Sequence, residues 1–85
     1  MNIVYTSKFE RAYKKLSEDV QLTAEKKEKI FRKNPHDARL RTHKLKGDLG
    51  GFWSFSVNYQ IRIIFEFVDN DTVYFHTVGQ HDIYD

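Results

Sequence analysis

Cysteine is absent from this 85-residue chain, and proline occurs once, at Pro35. Without a thiol there is no disulfide, iron–sulfur cluster or thiolate zinc site, which fits a cytosolic compartment better than a secreted one. Long apolar runs are missing too, the longest being a few residues against the roughly 20 that cross a bilayer. The N-terminal MNIVYTSKFE lacks a charged region followed by an apolar core, so no secretory signal is expected. Repeats, low-complexity segments and linkers are also lacking. The expectation is one soluble, cytoplasmic domain over residues 1–85 with no membrane partner. A chain this short buries roughly 60% of the surface its unfolded form exposes, so its stability should be modest.

Each half of the chain is poor in one sign of charge. The first 46 residues hold 13 of the 14 Lys and Arg against 6 Asp and Glu, and the remainder has one Arg against another 6 acids. The net charge of +2 hides this division. Solvated Lys-rich helices account for part of it, and a polyanionic partner on the basic side is the alternative reading.

Asn2-Ile3-Val4-Tyr5 is short, β-branched and aromatic, as a strand is. Ser7 to Glu10 has capping-box spacing, with Phe9, Ala12, Tyr13 and Leu16 following at helical intervals. Ser17 opens a second helix whose stripe is Val20, Ala24 and Phe31, with the aliphatic stem of Lys27 between them, and Asn34-Pro35 ends it. A basic connection from His36 to Gly51 contains a short strand near Thr42 to Leu45, and Gly47, Gly50 and Gly51 mark turns in it. Phe52 to Val57 alternates as a half-buried strand, Trp53, Phe55 and Val57 inward and Ser54 and Ser56 outward. Asn58-Tyr59 is a tight turn. Ile61 to Phe67 then places Ile61, Ile63, Phe65 and Phe67 on one face and Arg62, Ile64 and Glu66 on the other, before Asp69-Asn70-Asp71 turns into a strand over Thr72 to Val78. The fold class is α+β: an N-terminal strand, an αα-hairpin and an antiparallel β-meander.

Arg62 stands mid-strand among Ile61, Ile63, Ile64 and Phe65. It either pairs with Glu66 or another strand carboxylate, or offers a guanidinium fork to phosphate. His43 lies among Arg41, Lys44 and Lys46, and His81 in GQHDIYD; an imidazole in such surroundings serves as acid or base near neutral pH. His36 and His76 read as solvated or carbonyl-bonded side chains. No HxH or HExxH spacing occurs, and neither metal nor cofactor is expected. Trp53 belongs to the core, while Tyr84 either closes the core as a terminal lid or stacks on a substrate base.

The segments KLKGDLGGFWSFSV, RIIFEF and VGQHDIY resemble the RelE/ParE superfamily of toxins from type II toxin–antitoxin systems, nearest the YafQ/YoeB-like group, over almost the whole chain. The resemblance implies a microbial-ribonuclease-like RelE fold. It also implies ribosome-dependent, metal-independent cleavage of mRNA in the A site of the 70S ribosome, with a cognate antitoxin holding the toxin otherwise and operator DNA reached only through that complex. Carried over, His43 matches a catalytic His or Glu position, Arg62 the scissile-phosphate Arg, His81 the C-terminal His and Tyr84 the terminal aromatic residue. YafQ-like chains have a further His and an Asp where this chain has Ser56 and Gln60, and an Arg where it has Thr77. In the implied mechanism the RNA 2′-hydroxyl attacks the adjacent phosphate. One of His43 and His81 takes its proton, the other protonates the departing 5′-oxygen, and Arg62 with Lys44 or Lys46 offsets the charge; Arg41 adds an RNA contact. A ParE-like gyrase poison and a catalytically degenerate antitoxin-binding module are the alternatives on this fold.

Overall fold

A computed structural model of the chain describes residues 1–47 and 50–80. The elements run β1 (Asn2–Tyr5), α1 (Ser7–Lys14), α2 (Glu18–Lys33), a 3-10 turn (Ala38–Leu40), β2 (His43–Lys44), β3 (Trp53–Ser56), β4 (Ile61–Phe67) and β5 (Thr72–Gln80). One mixed five-stranded sheet has the order β1-β5-β4-β3-β2. β1 runs parallel to β5, and the remaining neighbours are antiparallel, so the expected meander is present with the N-terminal strand added at its far edge.

The first helix is capped one residue earlier than the capping box suggests. Thr6, not Ser7, is the N-cap, and its Oγ1 accepts from the Phe9 amide at 3.1 Å. The sheet decides this: the Thr6 amide donates to Phe75 O at 3.2 Å and its hydroxyl donates to His76 O at 2.9 Å. That carbonyl sits at a bulge, because Ile64 pairs with Thr77 while Phe65 pairs with Phe75, leaving His76 as the extra residue. Thr6 therefore satisfies a helix terminus and a bulge at once.

Ser17 caps α2 through Val20 N at 3.3 Å, as its position suggests. Gln21 Nε2 donates to Tyr13 O and Leu16 O at 3.0 and 3.3 Å, which ties the end of α1 to the start of α2. Asn34 leaves the helix with extended backbone ahead of Pro35.

Phe31 of α2 is the centre of the core. Its ring lies 4.9 Å from Phe55, 4.9 Å from Phe65 and 5.5 Å from Phe75, and all four rings are fully buried. Such offset and edge-to-face pairs add to burial, which is worth about 1.5–3 kcal/mol per large apolar side chain. Phe9, Ala24, Leu40, Val57, Ile63, Val73 and Val78 complete the cluster. Trp53 packs half-buried against it, 5.5 Å from the rings of both His36 and Phe67.

The other face of the sheet departs from expectation. Ser54 and Ser56 are buried, not solvent-facing, as are Ile64 and Leu45. Leu45 and Ile64 stand apart from the main cluster, so this face carries a small apolar patch of its own. Beyond β2 the pairing with the β3 side continues as the chain returns: Leu45 N donates to Phe52 O at 2.9 Å, and the Phe52 ring packs 4.8 Å from His76. Gly47 and Gly51 take positive φ of 70° and 96° in that return, a conformation that glycine adopts without a Cβ penalty. No described helix is long and apolar enough to cross a membrane.

Candidate functional site

A groove of about 650 Å³ opens at the end of the sheet where β3 turns into β4. Four elements form it: the hairpin with Ser56 to Gln60 and Arg62, the middle of α2 with Lys27, the segment carrying Arg39 and Arg41, and the end of β5 with Gln80. Four of the lining residues are cationic, and among the described residues no Asp or Glu lines it.

The four cations are not equivalent. Arg39 is clamped by Asp37, Nε to Oδ1 at 3.0 Å and Nη2 to Oδ2 at 2.9 Å, so its charge is largely offset. Those hydrogen bonds from Arg39 hold the Asp37 carboxyl down at about 2. Among the described residues Lys27 donates only to Arg39 O, at 3.4 Å. Arg41 occupies the left-handed region at φ 52°, unusual for a side chain of its size, immediately after the 3-10 turn. Arg62 Nη1 donates to Asn58 O at 3.2 Å, and among the described residues the guanidinium has no carboxylate partner. The Glu66 pairing is thereby answered: Glu66 Oε1 lies 2.9 Å from His76 Nε2 instead, which also makes His76 carboxylate-bonded rather than solvated. A half-buried guanidinium whose only described partner is a neutral carbonyl keeps donors for an anion.

Arg41 and Arg62, both anticipated from sequence, thus meet in one groove. His43 does not line it, yet shares its side of the sheet. His43 pairs with Ser54 and Arg62 with Ser56, and Ser54 and Ser56 point the same way from β3. Two strand spacings across and two residues along put the His43 and Arg62 Cα atoms roughly 12 Å apart, within joint reach of their side chains around one phosphodiester. His43 is exposed, and its Nδ1 lies 3.2 Å from Arg41 O. Lys44 pairs with Trp53 and falls on the opposite, helix-covered face, away from Arg62. Lys46 is exposed beyond the end of β2. His81 and Tyr84 lie outside the described residues; Gln80, bonded to His81, is in the groove wall.

Sequence reading passed over Lys27, Arg39 and Tyr59. A lysine within the Val20, Ala24, Phe31 stripe was the available signal for the first, because a helix surrenders an apolar position facing the sheet only where charge is tolerated. Ser56 and Gln60, two departures from the family resemblance, both line the groove.

A mixed five-stranded sheet backed by two helices is the microbial-ribonuclease-like α+β fold of the RelE/YoeB type. The chain belongs to the HigB-like toxin family, described as RelE-like toxins of the type II toxin–antitoxin system HigB, whose model matches residues 7–77. Among solved structures it is similar to a YoeB/ParE toxin from Agrobacterium tumefaciens at TM-score 0.80 and 16% identity, over 95% of this chain and 99% of that one. It is also similar to YafQ from E. coli strain BL21(DE3), at TM-score 0.78 and 17% identity over 94% and 92% of the two chains. The YoeB–YefM complex from Staphylococcus aureus matches at TM-score 0.77 and 20% identity, over 95% and 97%. A search of the curated proteins found no match.

Proposed function

We propose that the protein is an mRNA interferase: a metal-independent endoribonuclease that cleaves mRNA in the ribosomal A site and is neutralised by a cognate antitoxin. The observation that carries this reading is Arg62, which among the described residues has no carboxylate partner and stands in a groove lined by four cations and no acid. A guanidinium fork fits phosphate oxygens and stabilises the charge that builds on them during transfer.

In this scheme Arg62 binds the scissile phosphate, and Arg41, Lys27, Lys44 and Lys46 meet flanking mRNA or ribosomal RNA phosphates. His43 is the general base. Nδ1–H donated to Arg41 O selects the tautomer in which Nε2 of the neutral imidazole is the nitrogen that takes the 2′-hydroxyl proton. The 2′-oxygen bonds to phosphorus, the bond to the 5′-oxygen breaks, and His81 returns a proton to that oxygen. The products are a 2′,3′-cyclic phosphate and a 5′-hydroxyl end. Support for His81 is the resemblance that singled it out, together with the place of Gln80, which precedes it in sequence, in the groove wall. Tyr84 stacks on a base of the codon. The antitoxin belongs to the reading through similarity to the YoeB–YefM complex, and operator DNA is reached only through such a complex.

The test is cleavage of mRNA on programmed ribosomes, with end-group analysis. The reading expects cuts within the A-site codon that leave cyclic phosphates, in EDTA, and loss of cutting in His43→Ala, Arg62→Ala and His81→Ala. Growth arrest with intact mRNA in all four proteins would replace it with a gyrase-type toxin, and harmless expression with tight antitoxin binding would replace it with a degenerate module.

A further inference from the structure

Tyr59, at the tip of the β3–β4 hairpin, has 92% of its surface exposed, whereas the other exposed large hydrophobic residues among those described range from 36% to 55%. The turn that holds it is well tied. Asn58 Oδ1 accepts from the amides of Gln60 and Ile61, each at 2.8 Å, and the amides of Val57 and Asn58 donate to Ile61 O at 2.8 and 3.4 Å. The Asn58 carbonyl takes the Arg62 guanidinium, so the tip and the phosphate-binding side chain are fixed to each other. Tyr59 also lines the groove. An aromatic ring that makes almost no contact with its own chain, presented on a rigid turn beside free guanidinium donors, has the two properties of a base-stacking platform: an open π face and little entropy to lose on binding.

We propose that Tyr59 stacks on an unpaired base of the mRNA strand whose scissile phosphate Arg62 holds. The inference rests on the reading given under Proposed function and adds to it a second aromatic contact, on the hairpin side of the groove. The described lining, four cations and no carboxylate, favours a polyanion over a protein segment as the occupant next to this ring. Stacking tolerates any base, so Tyr59 contributes affinity and register along the strand with little sequence preference.

The experiment measures binding to ribosomes programmed with an mRNA made uncleavable by 2′-O-methyl groups, for the wild type, Tyr59→Phe and Tyr59→Ala, with abasic sites moved one position at a time through and beside the A-site codon. Tyr59→Ala is expected to weaken binding by about 5- to 150-fold, the range for loss of one stacked base. Tyr59→Phe keeps the ring and should stay within about twofold of the wild type. One abasic position should cost the wild type and Tyr59→Phe a similar factor and cost Tyr59→Ala nothing more. Binding by Tyr59→Ala equal to the wild type overturns the inference and leaves the interferase reading intact. Weakening that couples to no abasic position also overturns it, by assigning the ring to the ribosome rather than to mRNA. If the wild type binds programmed and mRNA-free ribosomes alike, the interferase reading falls and takes this inference with it.

Discussion

The two faces of the sheet are built from alternate residues of the same strands, yet they meet different physical demands. On the helix-covered face Phe31, Phe55, Phe65 and Phe75 bury completely and touch one another, and every part of the arrangement lowers the free energy of the fold. On the other face, among the described residues, the Ser54 hydroxyl is buried with no hydrogen-bond partner and Arg62 at the groove end has no carboxylate partner, while Arg41 in the groove takes a left-handed backbone and Tyr59 stands in solvent. Local rules kept on one face and broken on the other are the pattern expected when one face holds the fold and the other does the work.

That comparison breaks most visibly at Phe31. Phe31→Ala should cost about 3–5 kcal/mol in denaturant unfolding, a large share of the stability of so small a domain; a loss below 1 kcal/mol would mean that the aromatic cluster is not the organising core. Next comes Thr6, which serves α1 and the β5 bulge together. Its replacement by alanine removes a cap and a second hydrogen bond, for about 2 kcal/mol, and Thr6→Ser should restore most of the loss. Smaller, and on the opposite face, Ser54→Ala should leave stability within about 1 kcal/mol and on the stabilising side, since it deletes an unpartnered buried hydroxyl. Clear destabilisation there would reveal a partner that the hydroxyl holds.

The smallest effect belongs to Asp37. Its folded-state carboxyl is lowered to about 2 by Arg39. A depressed carboxyl stabilises the fold above its ordinary unfolded value and loses that contribution as pH falls through the folded one. The melting difference between wild type and Asp37→Asn should therefore be slight at pH 7, because the pair is exposed, and should vanish between pH 4 and pH 2. A gap that widens with acid would contradict the assignment.

Much of the helix-covered face was legible in the sequence, because period-2 alternation in Ile61 to Phe67 and helical spacing around Phe31 each name the residues that must meet a core. The bulge was not: alternation in β5 passes through His76 without interruption, and only pairing with β4 shows that Ile64 and Phe65 skip a residue across from it. Burial of Ser54 and Ser56 escaped for another reason. Polar residues at alternate positions read as solvent-facing, and their burial is a property of the folded surface. Arg62 stood out because a lone cation in an apolar strand is anomalous locally. Lys27 and Arg39 become part of the same groove only through tertiary folding, and no local pattern relates positions so far apart in the chain. Tyr59 read as an ordinary turn residue because exposure is a property of the folded surface.

The central claim is that Arg62 works on phosphate and contributes little to the fold. The most direct measurement pairs the rate of mRNA cleavage on programmed ribosomes with the unfolding free energy, for the wild type and Arg62→Ala. Loss of one charge-stabilising donor predicts a rate about 10²- to 10³-fold lower, with stability changed by less than about 1 kcal/mol. An unchanged rate, or a loss of rate matched by unfolding of the variant, would contradict it.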